Sequence, residues 1–276
     1  MTSQRRLFLE NMMQSKRMKI SLVISICLIS LAACGNLGGG TETQEIVLPY
    51  TQQAPAIINT GGLCDNLLYP VRQGASWAYI NSGGPNGTFV YSDTISAVQE
   101  DGFTLTSQFS NRTLTQEWAC ETDGLKALEL GGGTTTTISA QGMTAEFTTS
   151  NITGISLPKE ISSGMQWQYG LIIQGSIPMP TGEQVQTNGT YTVIMQEIGR
   201  ETITVPAGTF DATKIQSSST VEILVPFGNE QVPMKYSGTS VIWYVPGVGY
   251  IKSIENWDLG STPYTSTTEL QTYVIP

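Results

Sequence analysis

From residue 76 to the C-terminus, apolar and polar positions alternate in short runs rich in β-branched and aromatic residues. A period of two belongs to a strand with one buried face. The runs cover 76–80, 88–98, 103–109, 113–119 and 125–130, then 166–173, 190–198, 201–205, 209–216, 221–225, 240–245 and 250–255. Turn residues separate them: Gly83-Gly84-Pro85-Asn86-Gly87, Asp101-Gly102, Asp123-Gly124, Pro206-Ala207-Gly208 and Phe227-Gly228-Asn229. Asp-Gly and Asn-Gly supply the positive φ values of tight hairpins, and connections this short join antiparallel neighbours. No stretch beyond residue 40 has a helical period, although residues 64–69 leave room for one helical turn. The expected fold is all-β, an antiparallel meander.

The pattern also echoes itself. Gly74-Ala75-Ser76-Trp77-Ala78-Tyr79 and Gly164-Met165-Gln166-Trp167-Gln168-Tyr169 share the form G-x-x-W-x-Y. Each follows a proline, Pro70 or Pro158, and each half then reaches a second tryptophan, Trp118 or Trp243. Two related halves, 62–150 and 151–276, are expected. Glycine makes the turn, and Trp and Tyr then lie on one face of the strand. Trp77, Tyr79, Trp167 and Tyr169 are therefore core anchors, or alternatively an aromatic platform facing a sugar or lipid. The Gly131-Gly132-Gly133 run reads as an exposed loop between the halves.

The N-terminus follows different rules. Arg5, Arg6, Lys16, Arg17 and Lys19 precede an apolar run of 12 residues, 20–31. That is too short to span a bilayer, which takes about 20 residues. Leu31-Ala32-Ala33-Cys34 follows and resembles the lipobox of bacterial lipoproteins. The resemblance implies cleavage between Ala33 and Cys34, a lipid on the Cys34 sulfur, and a domain outside the cytoplasm, anchored to the cell membrane or outer membrane. Gln4-Arg5-Arg6-Leu7-Phe8-Leu9 resembles a twin-arginine export motif, with Glu10 where a basic residue is usual. Met1, Met12, Met13 and Met18 are alternative starts. Residues 1–33 are then the signal peptide. Residues 34–61, rich in Gly, Thr, Gln and Pro, are a flexible tether behind the lipidated cysteine.

Charge and cysteine usage narrow the picture. Of 13 Lys+Arg and 22 Asp+Glu, residues 1–33 hold five and one, leaving 8 and 21 and a net charge of −13. Such a chain repels nucleic acid and anionic lipid head groups. With Cys27 in the signal and Cys34 lipidated, Cys64 and Cys120 remain, and an exported compartment favours their pairing. There is no histidine, which removes Ser-His-Asp and Cys-His catalysis and the commonest metal ligand. No cofactor or metal site is expected. The one enzymatic chemistry left is a carboxylate pair of the glycosidase kind, drawn from Glu117, Glu121 and Asp123, with Asp65 brought near by the disulfide.

Three motifs carry a wider resemblance: Tyr69-Pro70 with Gly74-Ala75-Ser76-Trp77-Ala78-Tyr79, Ile203-Thr204-Val205-Pro206-Ala207-Gly208-Thr209-Phe210-Asp211-Ala212, and Trp243-Tyr244-Val245-Pro246-Gly247-Val248-Gly249-Tyr250-Ile251-Lys252. Together they resemble a group of bacterial envelope lipoproteins that share a β-rich domain. The resemblance implies an antiparallel sheet curled into a half-barrel or open barrel, and no particular activity. The expected role is non-catalytic binding of a partner protein or envelope component through the sheet. The alternatives are a carrier of lipid or another hydrophobic ligand, and a glycan hydrolase using paired carboxylates.

Overall fold

The computed structural model describes residues 61–276 apart from residues 86, 111–112, 129–135, 141–142, 179–183, 228–229 and 259–262. The signal, Cys34, nearly all of the tether and the Gly131-Gly132-Gly133 run lie outside the described residues.

Every regular element among the described residues is a strand. In chain order they are β1 (Ser76–Gly83), β2 (Phe89–Val98), β3 (Gly102–Phe109), β4 (Thr113–Glu121), β5 (Gly124–Ala127), β6 (Thr136–Ala140), β7 (Met143–Gly154) and β8 (Leu157–Pro158). Then follow β9 (Gln166–Pro178), β10 (Gln184–Val205), β11 (Gly208–Phe227), β12 (Glu230–Val245), β13 (Gly249–Asp258) and β14 (Pro263–Val274). All form one antiparallel sheet in the order β6-β7-β9-β10-β11-β12-β13-β14-β1-β2-β3-β4-β5-β8. Neighbours in sequence are mostly neighbours in space, as a meander requires. The longest-range join, β14 to β1, brings the two termini of the domain together.

The ladder does not close into a barrel, but its ends meet. Residues 155 and 156 cross between them: the Ile155 N–H donates to Gln168 O on β9, and the Ser156 N–H to Leu125 O on β5. Side chains continue the seam. Tyr169 Oη donates to Ala127 O at 2.7 Å, and Thr149 Oγ1 to Leu128 O at 2.9 Å. β8, the strand at one edge, is two residues long and contains Pro158, which cannot extend a ladder.

A curled sheet has a concave face to fill, and the segment before β1 fills part of it. Tyr69 stacks on Trp77, Phe103 and Trp118 at centroid distances of 5.3, 6.1 and 6.4 Å. Leu68 is buried beside them. Asn66 Nδ2 donates to Pro158 O, and Asn66 Oδ1 accepts from the Leu68 and Tyr69 N–H groups. The Gly247 N–H, from the β12–β13 turn, donates to Leu67 O. The Cys64–Cys120 disulfide, with Cα atoms 4.9 Å apart, fastens this strap to β4. The single helical turn allowed for residues 64–69 is absent; the Asn66 side chain organises bends there instead.

The core lies under the strap. Trp77, Tyr79, Ile95, Phe103, Leu125, Ile215, Ile251 and Leu270 are all at most 2 % exposed. Trp77 Nε1 donates to Val248 O at 2.6 Å and Tyr79 Oη to Tyr250 O at 2.9 Å, so both aromatic residues bury their rings without stranding a polar group. At the β10–β11 turn, the Ala207 N–H reaches Leu270 O and Phe210 packs against Tyr273.

Several strands are longer than the alternation predicts. The runs 190–198 and 201–205 are one strand, β10, with a bulge between Glu197 and Gly199. Gly199 adopts a φ of +121°, which a side chain would resist. The runs 209–216 and 221–225 are likewise one strand, β11, passing through Ser217-Ser218-Ser219-Thr220. β6, β7 and β14 carry no apolar alternation strong enough to predict them.

The disulfide closes a loop with a sequence separation of 56. In the chain-entropy picture, such a closure stabilises by about 3–4 kcal/mol. Replacing both Cys64 and Cys120 by Ser should lower the unfolding free energy by that amount in denaturant titrations. A change below about 1 kcal/mol would show that the strap is held by its ring stacking alone.

Candidate functional site

Beyond the strap, the concave face is open. The registers define what it presents, because direct cross-strand partners share a face. One row runs Trp167, Met195, Ser217, Ser240, Glu255, Ser266 and Gly83. The next row outward runs Tyr169, Val193, Ser219, Gly238, Trp257 and Tyr264. These rows, with Gln116 and Trp118 of β4 opposite, enclose a groove of about 300 Å³. Apolar, aromatic and hydroxyl side chains alternate across its floor.

Local packing fixes the polar groups. Ser217 and Ser240 hydroxyls bond each other at 2.7 Å across β11 and β12. Trp118 Nε1 donates to Gln116 Oε1 at 2.9 Å. Among the described residues, Glu255 is the one charged residue lining the groove. Its carboxylate accepts only long hydrogen bonds, from Ser253 Oγ at 3.3 Å and Trp257 Nε1 at 3.4 Å. The three ion pairs among the described residues, Lys126–Glu121, Lys214–Glu201 and Lys252–Glu269, do not involve it. Trp257 lies flat over Gly238. A Cβ at Gly238 would stand 2.7–2.9 Å from the indole ring, closer than atoms can pack. The missing side chain therefore lets the indole rest on the β12 backbone and turn its free face to the groove.

A second acid sits among the aromatic residues of β1–β3. Asp93 lies across from Trp77 and accepts from Ser107 Oγ at 2.6 Å. Burial holds its pKa at about 6, and the Ser107 hydrogen bond only partly offsets that. Tyr69, Tyr79 and Tyr91 surround it. All three phenols are pushed well above their ordinary value, chiefly by burial, with the Asp93 charge adding to the effect. These hydroxyls are neutral hydrogen-bonding groups throughout the physiological range.

The aromatic residues singled out from the sequence divide between core and groove. Trp77 and Tyr79 are sealed in the core. Tyr169 lines the groove while its hydroxyl closes the seam, and Trp167 is partly buried, with Nε1 donating to Ser156 O. The carboxylates proposed as a pair are not brought into a shared cleft. Glu117 and Glu121 alternate with Gln116, Trp118 and Cys120 and so face away from the groove. Glu117 accepts from Thr104 Oγ1, Glu121 pairs with Lys126, and Asp65 caps the Gly61 and Gly62 N–H groups. Among the described residues, no three Cys, Asp or Glu side chains converge as metal ligands. Sequence reading missed Glu255, Trp257, Gly238 and Asp93. The spacing Glu255-x-Trp257 was a usable signal, since period two puts both on one face.

The family model of DUF3108-like proteins matches residues 119–270, more than half of the chain. The chain belongs to the DUF3108-like family. The match spans β5 to β13 and so contains most of the groove. No curated protein matches this DUF3108-like chain. Among solved structures, similarity extends to an exported protein with a YmcC-like fold from Bacteroides fragilis. That protein has 12% identity, with 76% of this chain and all of that one covered, and a TM-score of 0.43. A lipoprotein from Parabacteroides distasonis shows 15% identity, coverage of 76% and 99%, and the same TM-score, 0.43. The lipoprotein YmcC from Escherichia coli shows 9% identity, coverage of 73% and 84%, and a TM-score of 0.32.

The raised pKa of Asp93 has a definite sign. The folded state holds the proton more tightly than the unfolded chain, so this group's contribution is full below about pH 3.8 and is lost as pH rises through about 6. Asp93→Asn should raise stability at pH 7 by about 1–3 kcal/mol and flatten the profile between pH 4 and 7. Denaturant titrations across that range check it. An unchanged slope would place the titration elsewhere.

Proposed function

We propose that this protein is a lipid-anchored, non-catalytic binding domain displayed outside the cytoplasm. Its concave groove takes a polar, ring-bearing envelope component. The basic segment, short apolar run and Leu31-Ala32-Ala33-Cys34 support the address. The net charge of −13 after cleavage favours a domain held off an anionic bilayer by residues 34–61. The observation that carries the binding role is the groove itself: Trp257 laid on Gly238, with hydroxyls and one carboxylate beside it. Aromatic faces with hydroxyl groups around them suit the mixed apolar and polar faces of a sugar ring. Concave sites with a few placed polar groups are the common form of ligand pockets.

The carrier reading calls for an apolar cavity inside the curled sheet. Here the strap occupies one part of the concave face, and the groove mixes Trp118, Tyr169, Val193, Met195 and Trp257 with Ser217, Ser219, Ser240 and Glu255. A buried alkyl chain would desolvate the Glu255 carboxylate without pairing it. A saccharide offers hydroxyls that pair it.

Two measurements test the proposal. Mass spectrometry of the N-terminal peptide of the membrane-extracted protein should show residues 1–33 removed and a lipid on Cys34; an unmodified Cys34 would contradict the anchor. Titration of envelope saccharides against the full-length protein in neutral detergent, read by tryptophan fluorescence, should show saturable quenching that Trp257→Ala abolishes. Co-purification of a lipid by native mass spectrometry, without any saccharide response, would favour the carrier.

A further inference from the structure

Resting on that reading, we infer that the groove selects a saccharide bearing a free amino group, with Glu255 as the residue that reads the ammonium. Glu255 lies mid-row between Ser240 and Ser266, where the concave face is deep enough to be half-buried. It is the one charged group lining the groove among the described residues. Its two hydrogen bonds, at 3.3 and 3.4 Å, are at the long end for a carboxylate, whose charge-assisted bonds run at about 2.7–2.9 Å. Taking a carboxylate partly out of water is costly unless a cation meets it. Lys126, Lys214 and Lys252, the lysines engaged in ion pairs, are committed to other acids.

The surroundings match a cation on a ring. The Trp257 indole, two residues on along the same face, is positioned by Gly238 and offers a π-face to a positive charge. Tyr91 and Tyr191 both feel the Glu255 charge from other strands. An ammonium there would gain the Glu255 carboxylate and the indole face together, while Ser217 and Ser240 would meet ring hydroxyls. A neutral or N-acetylated sugar could still stack on Trp257 but would leave Glu255 unpaired.

The test uses the full-length protein in neutral detergent with two probes of equal length, the tetramers of glucosamine and of N-acetylglucosamine, read by tryptophan fluorescence. The glucosamine tetramer should bind at least ten-fold more tightly at pH 6, where it is cationic, and its affinity should fall as salt is raised. Glu255→Gln should erase the preference while leaving binding of the acetylated tetramer within two-fold. Glu222→Gln, which removes the same charge from an exposed position on β11, should leave the preference intact. Gly238→Val, which displaces the indole, should weaken both probes. Equal affinities for the two tetramers in the unaltered protein would overturn the amine selection and leave the saccharide reading standing. Loss of the preference in Glu222→Gln would reduce it to net charge. Binding of neither tetramer would overturn both.

Discussion

Tyr69 stacks against three rings of one stretch of the curled sheet, Trp77 on β1 and Phe103 and Trp118 on β3 and β4. This contact decides which part of the concave face is core and which is open. A sheet of 14 strands that curls without closing has more inward-facing positions than its own apolar residues can cover. The strap solves half of the problem by placing Leu68 and Tyr69 inside, and the disulfide to Cys120 keeps it there. Rings of this size bury roughly 150–250 Å² each, so one Tyr does much of the filling. What the strap does not reach is an open groove where Glu255 and Trp257 stay partly exposed, and the inward positions beside them are the buried hydroxyls Ser217, Ser219, Ser266 and Thr268.

That division also explains what was legible in the sequence. Strands around the core alternate cleanly, because Trp77, Tyr79, Ile95, Phe103 and Leu105 face in and polar residues face out. The all-β meander follows from them, while the open curl came only from the resemblance to envelope lipoproteins. Where β11 and β14 cross the rows of the groove, both faces carry hydroxyl residues and the period of two disappears. The run Ser217-Ser218-Ser219-Thr220 therefore reads as an interruption, yet it is the middle of a 20-residue strand. β14 was invisible for the same reason, since its inward Ser266 and Thr268 resemble its outward Thr265 and Thr267. Weak alternation inside a β protein can mark a solvated concave wall as well as a loop.

The site was less legible than the fold. Trp77 and Tyr79 stood out because G-x-x-W-x-Y marks a strand start, but that motif belongs to core packing. The acids near Cys120 stood out because they cluster in sequence, and alternation sends Glu117 and Glu121 away from the groove. Glu255 and Trp257 belong to a run whose importance depends on partners 15 and 19 residues distant, Ser240 and Gly238 against them in register. Sequence order does not display that adjacency. It appears only when β12 and β13 pair.

The account stands on one physical claim: a single concave face is dry at the strap and wet at the groove. Hydroxyl-radical footprinting of the full-length protein, read by mass spectrometry at each tryptophan and tyrosine, tests it directly. The account predicts fast oxidation of Trp257 and slow oxidation of Trp77 and Tyr79. Comparable rates at Trp257 and Trp77 would contradict it, since either the groove would be collapsed or the strap would not seal the core.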